Sequence, residues 1–212
     1  MRPHVTVNCA ASIDGKIASF KRTQTPISSA EDLERVKRLR AACDAILVGV
    51  GTVLADDPHL HAQTHQGKPL LRVVVDSKGR TPPGAHVVDG VAPTLVVTND
   101  TAKTTYAKAE VVRVGDGRVD LGALLEHLHD KRGVRKLLVE GGGEVIHSFL
   151  AEGLVDDFYL FVADFVLGGR DAPTVADGDG HIDPTSAPQA RFVSAQRMEG
   201  GLLLHYRFGD PK

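Results

Sequence analysis

The sequence predicts an α/β protein: a mostly parallel central sheet with helices on both faces and an antiparallel hairpin at its C-terminal end. Three features carry that expectation. Short β-branched runs alternate with longer stretches of helical periodicity, the order that builds parallel strands joined by crossover helices. Ala45–Val50 is a near-continuous apolar run, as expected of a strand covered on both faces. Glu199-Gly200-Gly201 separates two strand-like segments and supplies the glycines that a tight turn needs.

Element by element, Val5–Ala11 reads as the first strand. Ser28-Ser29-Ala30-Glu31 reads as a capping box, with Ser28 as the cap and Glu31 answering it. The helix behind it runs to about Ala42. Ala45–Val50, Leu71–Asp76 and Thr94–Thr98 read as buried strands. Asp120 can cap a helix that carries Leu121, Leu124, Leu125 and Leu128, and Gly133 can end it. Lys136–Glu140 is a further buried strand, and Gly143 to Glu152 a short helix closed by Gly153. Asp157–Ala163 and two segments near Arg191–Arg197 and Leu202–Arg207 complete the strands. Segments 56–68 and 168–187 are long for loops, and long loops in a compact domain are usually functional or mobile. No linker-like stretch divides the chain, so residues 1–212 read as one domain.

Composition excludes several classes. A hydrophobic fraction of 42% supports a sizeable core. A net charge of −2 with both signs interspersed gives no basic field for nucleic acid. No apolar run approaches the ~20 residues of a membrane helix. No signal-peptide segment follows Met1, so a cytoplasmic location is expected. Cys9 and Cys43 are too few for a disulfide framework, and their apolar contexts suggest buried inert thiols.

The richest motif is Glu140-Gly141-Gly142-Gly143, between a strand and a helix. Glycines admit a ligand close to the backbone, and the helix start offers unpaired amides and the positive end of its dipole. That combination suits a pyrophosphate. A tight turn is the plainer reading, although three glycines exceed what a turn needs. The spacing is not Gly-x-Gly-x-x-Gly, and no acidic residue follows at the right distance. A dinucleotide fold other than the ordinary Rossmann domain is therefore expected. Gly49-Val50-Gly51-Thr52 is a second glycine cluster at a strand end, and it leads to Asp56-Asp57-Pro58, itself readable as a solvated turn. Ligands gather at the carboxyl ends of parallel strands, so the two clusters are expected to share a cleft.

Other polar groups admit two readings each. Ser77, Lys78 and Arg80 can grip the 2′-phosphate of a dinucleotide or form a polar loop. Lys16, after Asp14-Gly15, can contact a phosphate or close a turn. Arg40 can bind a substrate phosphate, whereas Arg38 suits a solvated face. His59, His61 and His65 invite a metal, but their loop has no third ligand at a recognised zinc spacing, so no metal is expected. His127 and His129 read as surface residues. No Gly-x-Ser-x-Gly elbow or Cys–His pair is present, which argues against a covalent hydrolase.

Several runs, taken in order, resemble the riboflavin-biosynthesis reductase family. They are Ser12-Ile13-Asp14-Gly15-Lys16-Ile17-Ala18, Ile27-Ser28-Ser29 with Glu31-Asp32-Leu33, Leu39-Arg40, and Gly51-Thr52-Val53-Leu54-Ala55-Asp56-Asp57-Pro58. Val74-Val75-Asp76-Ser77, Glu140-Gly141-Gly142-Gly143, Glu152-Gly153-Leu154-Val155-Asp156 and Gly168-Gly169 extend the likeness over nearly the whole chain. The resemblance implies a dihydrofolate reductase-like fold, NADPH as cofactor, a phosphorylated pyrimidine as substrate and a homodimer. The bacterial members also carry a zinc deaminase domain. This sequence has no His-x-Glu and no Pro-Cys-x-x-Cys, so it is similar to the stand-alone archaeal and fungal form. Those enzymes reduce 2,5-diamino-6-(ribosylamino)-4(3H)-pyrimidinone 5′-phosphate. The already deaminated aminouracil is the alternative substrate.

Carried over by position, the resemblance assigns Thr52, Asp56, Ser77 and the turn of Gly141, Gly142, Gly143 and Glu144 to NADPH. Ala10, Ile17, Pro26 and Ser28 line the cofactor side, partly through backbone. Gln24, Arg40, Leu60 and Glu140 match substrate contacts. One departure concerns phosphate recognition: Leu60-His61-Ala62-Gln63 lacks the usual cation at Gln63, for which His61 can compensate. Asp56 and Glu140 are both candidates for moving protons, and no single catalytic base stands out. A dihydrofolate reductase-like enzyme and a non-catalytic nucleotide-binding protein are the competing readings.

Overall fold

The structure, a computed structural model, describes residues 1–23 and 25–209. In chain order its elements are β1 (His4–Ala11), α1 (Ala30–Ala41), β2 (Ala45–Gly49), α2 (Val50–Asp56), β3 (Leu71–Val75), a 3-10 turn (His86–Val88), β4 (Thr94–Thr98), β5 (Glu110–Arg113), α3 (Leu121–Arg132), β6 (Lys136–Val139), α4 (Gly143–Ala151), β7 (Asp157–Ala163), β8 (Ala190–Met198) and β9 (Gly201–Phe208). The chain divides into two compact units, Met1–His4 with Lys37–Leu138, and Val5–Val36 with Val139–Lys212.

In the first unit the strands run in the order β5-β4-β3-β2-β6. The pairs β2–β3, β3–β4 and β4–β5 are parallel. Every residue of β2 and β4 is buried, which explains why their sequences do not alternate. Ile46, Val48, Val74, Val96 and Leu138 from the strands pack with Val50 and Val53 of α2, with Val87 and Val88 of the 3-10 turn, and with Leu60. Helix α3 forms as its ends dictate. The Asp120 carboxylate accepts from the Ala123 N–H at 2.9 Å. Gly133, at φ 68°, takes the left-handed position that a glycine enters at least cost, and the Val134 N–H returns to Leu128 O. Its inward stripe is Leu121, Leu124, Leu125 and Leu128, joined by His129, which is 8% exposed and not a surface residue. The helix period places position 129 one turn beyond Leu125, at the edge of that stripe.

A single arginine organises the far side of this unit. Arg72, in β3, is fully buried. Its Nε donates to Thr94 Oγ1 at 2.9 Å. Nη1 donates to the carbonyls of His59 and His86, both at 3.1 Å. Nη2 donates to Asp89 Oδ1 at 2.9 Å and to Ala92 O at 2.8 Å. All five guanidinium donors are thereby used, the condition under which a buried charge is tolerated.

In the second unit β1 pairs parallel with β7, which pairs antiparallel with β9, which pairs antiparallel with β8. The β8–β9 hairpin turns at Gly200, φ 68°, in the place the glycine pair predicts. Strand β8 is exposed at every position but Met198 and slips register between Phe192 and Ser194. Ile27, Phe161, Ala163, Met198 and Leu203 form a core cluster.

Two local readings are corrected. Helix α1 is capped by Ser29, whose Oγ accepts from the Asp32 N–H at 3.2 Å, rather than by Ser28. Glu31 does not close a capping box; its Oε2 accepts from the Glu199 N–H at 2.7 Å, at the hairpin turn. The Gly49–Asp56 stretch is not a glycine turn but enters α2 directly after Gly49. Strand β5 goes unseen in the sequence because it is four residues long and half exposed.

Arg72→Met is expected to strip one donor from each of five acceptors, Asp89 Oδ1 among them. A loss of about 3–5 kcal/mol in urea denaturation, the usual cost of breaking a buried pair from one side, is the expected outcome; a change within experimental error would show the cluster to be dispensable.

Candidate functional site

The second unit gathers several of the expected cofactor residues around one segment, 165–177. The end of β1 turns through Ser12–Lys16, with the Gly15 N–H on Ser12 O and the Ser12 N–H on Lys16 O. Asp14 ties this turn outward. Its carboxylate accepts from the Ser12 hydroxyl at 2.6 Å and from the N–H groups of Leu167 and Gly168 at 3.0 and 2.8 Å. The bond from Ser12, then those from the two amides, hold its pKa at about 2, against an ordinary 3.8. The Ile17 N–H donates to Pro173 O, the Val175 N–H to Gly15 O, and Lys16 Nζ to Ala172 O. Lys16 is thus a partner of the loop rather than an open phosphate contact.

The glycine turn meets the same segment. Gly141 sits at φ 112°, which a side chain disfavours, and the Gly141–Gly142 peptide is cis. Gly142 precedes α4 in extended conformation with no side-chain cap. The first amides of α4 therefore have no acceptor within the helix and no capping side chain, which is the anion-binding arrangement. Gly143 has a different reason to be glycine: a Cβ there would stand 2.4 Å from Thr174 O and 2.6 Å from Asp177 Oδ2. Asp177 is held in place by Thr174, whose N–H and hydroxyl both donate to its Oδ1. Through Pro173 and Thr174 the structure brings Ile17 and Gly143 to one segment. Ala10 and Ser28 are half-buried and Pro26 is exposed, while Gln24 lies outside the described residues. Glu140 is half-buried and Glu144 exposed.

A second polar cluster lies on the same unit, unforeseen in the sequence. Asp32 is 1% exposed. Arg35 pairs with its Oδ1 and donates from Nη2 to Asn8 Oδ1 at 2.7 Å. The guanidinium lies 5.9 Å from the Tyr159 ring centre, and Tyr159 stacks on His205 at 4.2 Å. Asn8, Tyr159 and His205 are register partners across β1, β7 and β9, so one row of the sheet carries all three. The period-2 pattern hints at this row, but only pairing reveals it.

The remaining expected residues lie in the first unit. Thr52 is half-buried on the first turn of α2, and Asp56 is its last residue, exposed, with local desolvation raising its pKa. Asp57 follows in left-handed conformation and accepts from the His86 N–H at 2.8 Å, so it is a structural cap. Arg40 is half-buried in the last turn of α1. Leu60, at φ 49°, is turned into the core. Ser77 Oγ accepts from the Val119 N–H at 3.1 Å, and Lys78 and Arg80 stand exposed beside it. Both cysteines are buried and outside any disulfide, and burial pushes the Cys9 thiol up to about 12. Among the described residues no helix is long and apolar enough to cross a membrane.

Comparison with known proteins adds to this geometry. The family model described as RibD C-terminal domain matches residues 3–204. The chain is 44% identical to a 2,5-diamino-6-ribosylamino-4(3H)-pyrimidinone 5′-phosphate reductase of Archaeoglobus fulgidus, over 98% of this chain and 99% of that one. Among solved structures, a diaminohydroxyphosphoribosylaminopyrimidine deaminase/5-amino-6-(5-phosphoribosylamino)uracil reductase of Thermotoga maritima superposes with a TM-score of 0.82 at 26% identity, over 98% of this chain and 57% of that chain. A dihydrofolate reductase of Enterococcus faecalis superposes with a TM-score of 0.56 at 13% identity over 98% of this chain and 97% of that one, a likeness of fold alone.

Two outcomes follow from the site's construction. Gly143→Ala is expected to lower the melting temperature and loosen segment 172–177, seen as faster amide exchange there, because backbone rather than a flexible side chain blocks the new methyl. Asp14 titrates low in the folded state, so its contribution to stability is complete above pH 4 and disappears as pH falls towards 2. Asp14→Asn should therefore flatten the acid side of the stability–pH profile; an unchanged profile would show that its hydrogen bonds are not held in solution.

Proposed function

Since the chain belongs to the RibD C-terminal domain family, we propose that it is an NADPH-dependent reductase of 2,5-diamino-6-(ribosylamino)-4(3H)-pyrimidinone 5′-phosphate. The observation that carries this reading is the near full-length likeness to the archaeal reductase of that name. The uncapped start of α4 behind the glycine turn supports it, because it is built to receive a pyrophosphate. Ser77, Lys78 and Arg80 offer a hydroxyl and two cations at the end of β3, the donor set that favours the 2′-phosphate of NADPH over NADH.

The reaction needs little covalent chemistry from the protein. The ribosylamine opens when its ring oxygen gains a proton and its amine loses one, which leaves an imine at C1′. NADPH, when bound, supplies the hydride that goes to C1′; the imine nitrogen takes a proton, and the ribitylamine results. The protein aligns the reactants and excludes water. We assign Thr52, Asp56, Ser77, Ala10, Ile17, Pro26, Ser28 and the Gly141–Glu144 turn to the cofactor, and Gln24, Arg40, Leu60 and Glu140 to the substrate. Leu60 serves through its backbone, since its side chain is in the core. We take Asp56, whose raised pKa eases proton uptake, and Glu140 as the two candidates for moving protons.

A pterin substrate fits less well. The buried acid on the first helix, Asp32, already pairs with Arg35 and lies out of contact with solvent. The assembly we propose is a homodimer of one polypeptide in the cytoplasm. Strand β8 exposes Phe192 and Val193, and β9 exposes Leu202; a long edge strand bare on both faces is a pairing hazard unless a second copy covers it.

Purified protein mixed with NADPH and the diaminopyrimidinone phosphate is expected to consume the absorbance of NADPH. The aminouracil phosphate should turn over more slowly and dihydrofolate not at all. No consumption by a folded sample would remove the reading. Asp56→Asn should cut kcat by about 10²-fold or more, the range for a lost proton-transfer group, with little change in melting temperature. Phe192→Glu should convert the dimer to a monomer in light scattering.

A further inference from the structure

The loop after α2 carries histidines that the proposed hydride and proton transfers do not use. His59 and His61 come together with Asp89, from just beyond the 3-10 turn. Each offers one ligand atom, and the three atoms lie within 4.8 Å of one another. His61 Nε2 is 3.4 Å from Asp89 Oδ2. Two ligands about 2.0–2.1 Å from a tetrahedral zinc ion stand roughly 3.3 Å apart, so this pair already has the spacing of one coordination edge. His59 is exposed, and its ligand atom already lies within 4.8 Å of the other two.

The fold presents these groups deliberately. Leu60 adopts a left-handed conformation and is buried, while the imidazoles on either side of it are exposed. Arg72 holds His59 by its carbonyl and Asp89 by Oδ1, which leaves Oδ2 facing His61. The His86 ring lies 3.8 Å from that of His59, and its Nε2 is 3.5 Å from Asp57 Oδ2, so a second carboxylate stands near the group.

We propose that His59, His61 and Asp89 bind one divalent transition-metal ion of the zinc type, with solvent completing the coordination. Two imidazoles and a carboxylate select borderline ions over magnesium or calcium, which require oxygen ligands. The Arg72 charge behind Asp89 opposes the ion, so the site is weaker than a closed structural zinc site. The ion would clamp the loop after α2 to the segment after the 3-10 turn. Spacing within the histidine loop does not disclose the site, because its third ligand comes from another loop.

The test is calorimetric titration of the full chain, stripped with a chelator, with zinc chloride and separately with magnesium chloride. One zinc per chain and no magnesium uptake are expected. His59→Ala and His61→Ala should each weaken zinc binding by about tenfold or more, whereas His65→Ala, in the same loop but outside the cluster, should leave it unchanged. Cobalt(II) added to the unmodified protein should give the intense visible bands of a four-coordinate site. Absence of zinc binding, equal binding in all three variants, or a cobalt spectrum like that of the hydrated ion would overturn the proposal and reduce His61–Asp89 to an ordinary ion pair.

Discussion

The first unit depends on a charge placed where water cannot reach it. A buried guanidinium costs several kcal/mol in lost hydration, and only full use of its donors offsets that cost. Arg72 meets the condition with acceptors from four separate stretches of chain: His59, His86, the Asp89–Ala92 turn and Thr94. Because four of those five acceptors belong to segments without regular secondary structure or to a single 3-10 turn, the arginine does for the loops what strand pairing does for the sheet. Asp14 plays the reverse part in the second unit, where a carboxylate collects donors from the β1 turn and from Leu167 and Gly168. Long connections are given fixed shapes by one polar residue each, and ligand-binding groups can then stand on them without being loose.

The glycine turn shows how one motif answers to two demands. Gly141 is required by its backbone angle and Gly143 by the closeness of Thr174. Both needs are structural, and their result is a helix start with bare amides. The same atoms that let segment 172–177 pack against α4 leave no side chain to compete with an incoming anion. Under the proposed function, packing and binding are here a single constraint.

Much of this was legible in the sequence. Apolar runs marked β2, β3, β4 and β6 because strands buried on both faces tolerate little else. Asp120 and Gly133 marked both ends of α3 because capping is local chemistry. The cap of α1 was misplaced by one residue since Ser28 and Ser29 are chemically equivalent, and the true choice is set by Glu31 reaching the hairpin turn. Helix α2 was hidden by Gly49 and Gly51, which argue for a turn unless the neighbouring core is known. The Asp32–Arg35–Asn8 cluster and the partnership of His61 with Asp89 were illegible for a common reason: each joins residues far apart in sequence, and only the register of strands and the course of loops brings them together.

Each unit also keeps one thiol out of reach. Cys9 lies on β1 in the second unit and Cys43 just ahead of β2 in the first, and both are buried. For Cys9 the suppressed ionisation removes nucleophilicity even where a reagent could approach. A maleimide added to the native protein would therefore find nothing to alkylate until one half of the chain breathes, and peptide mapping of the adduct would tell which half opened first. The molecule carries, at no cost to its chemistry, a two-channel clock for its own local unfolding.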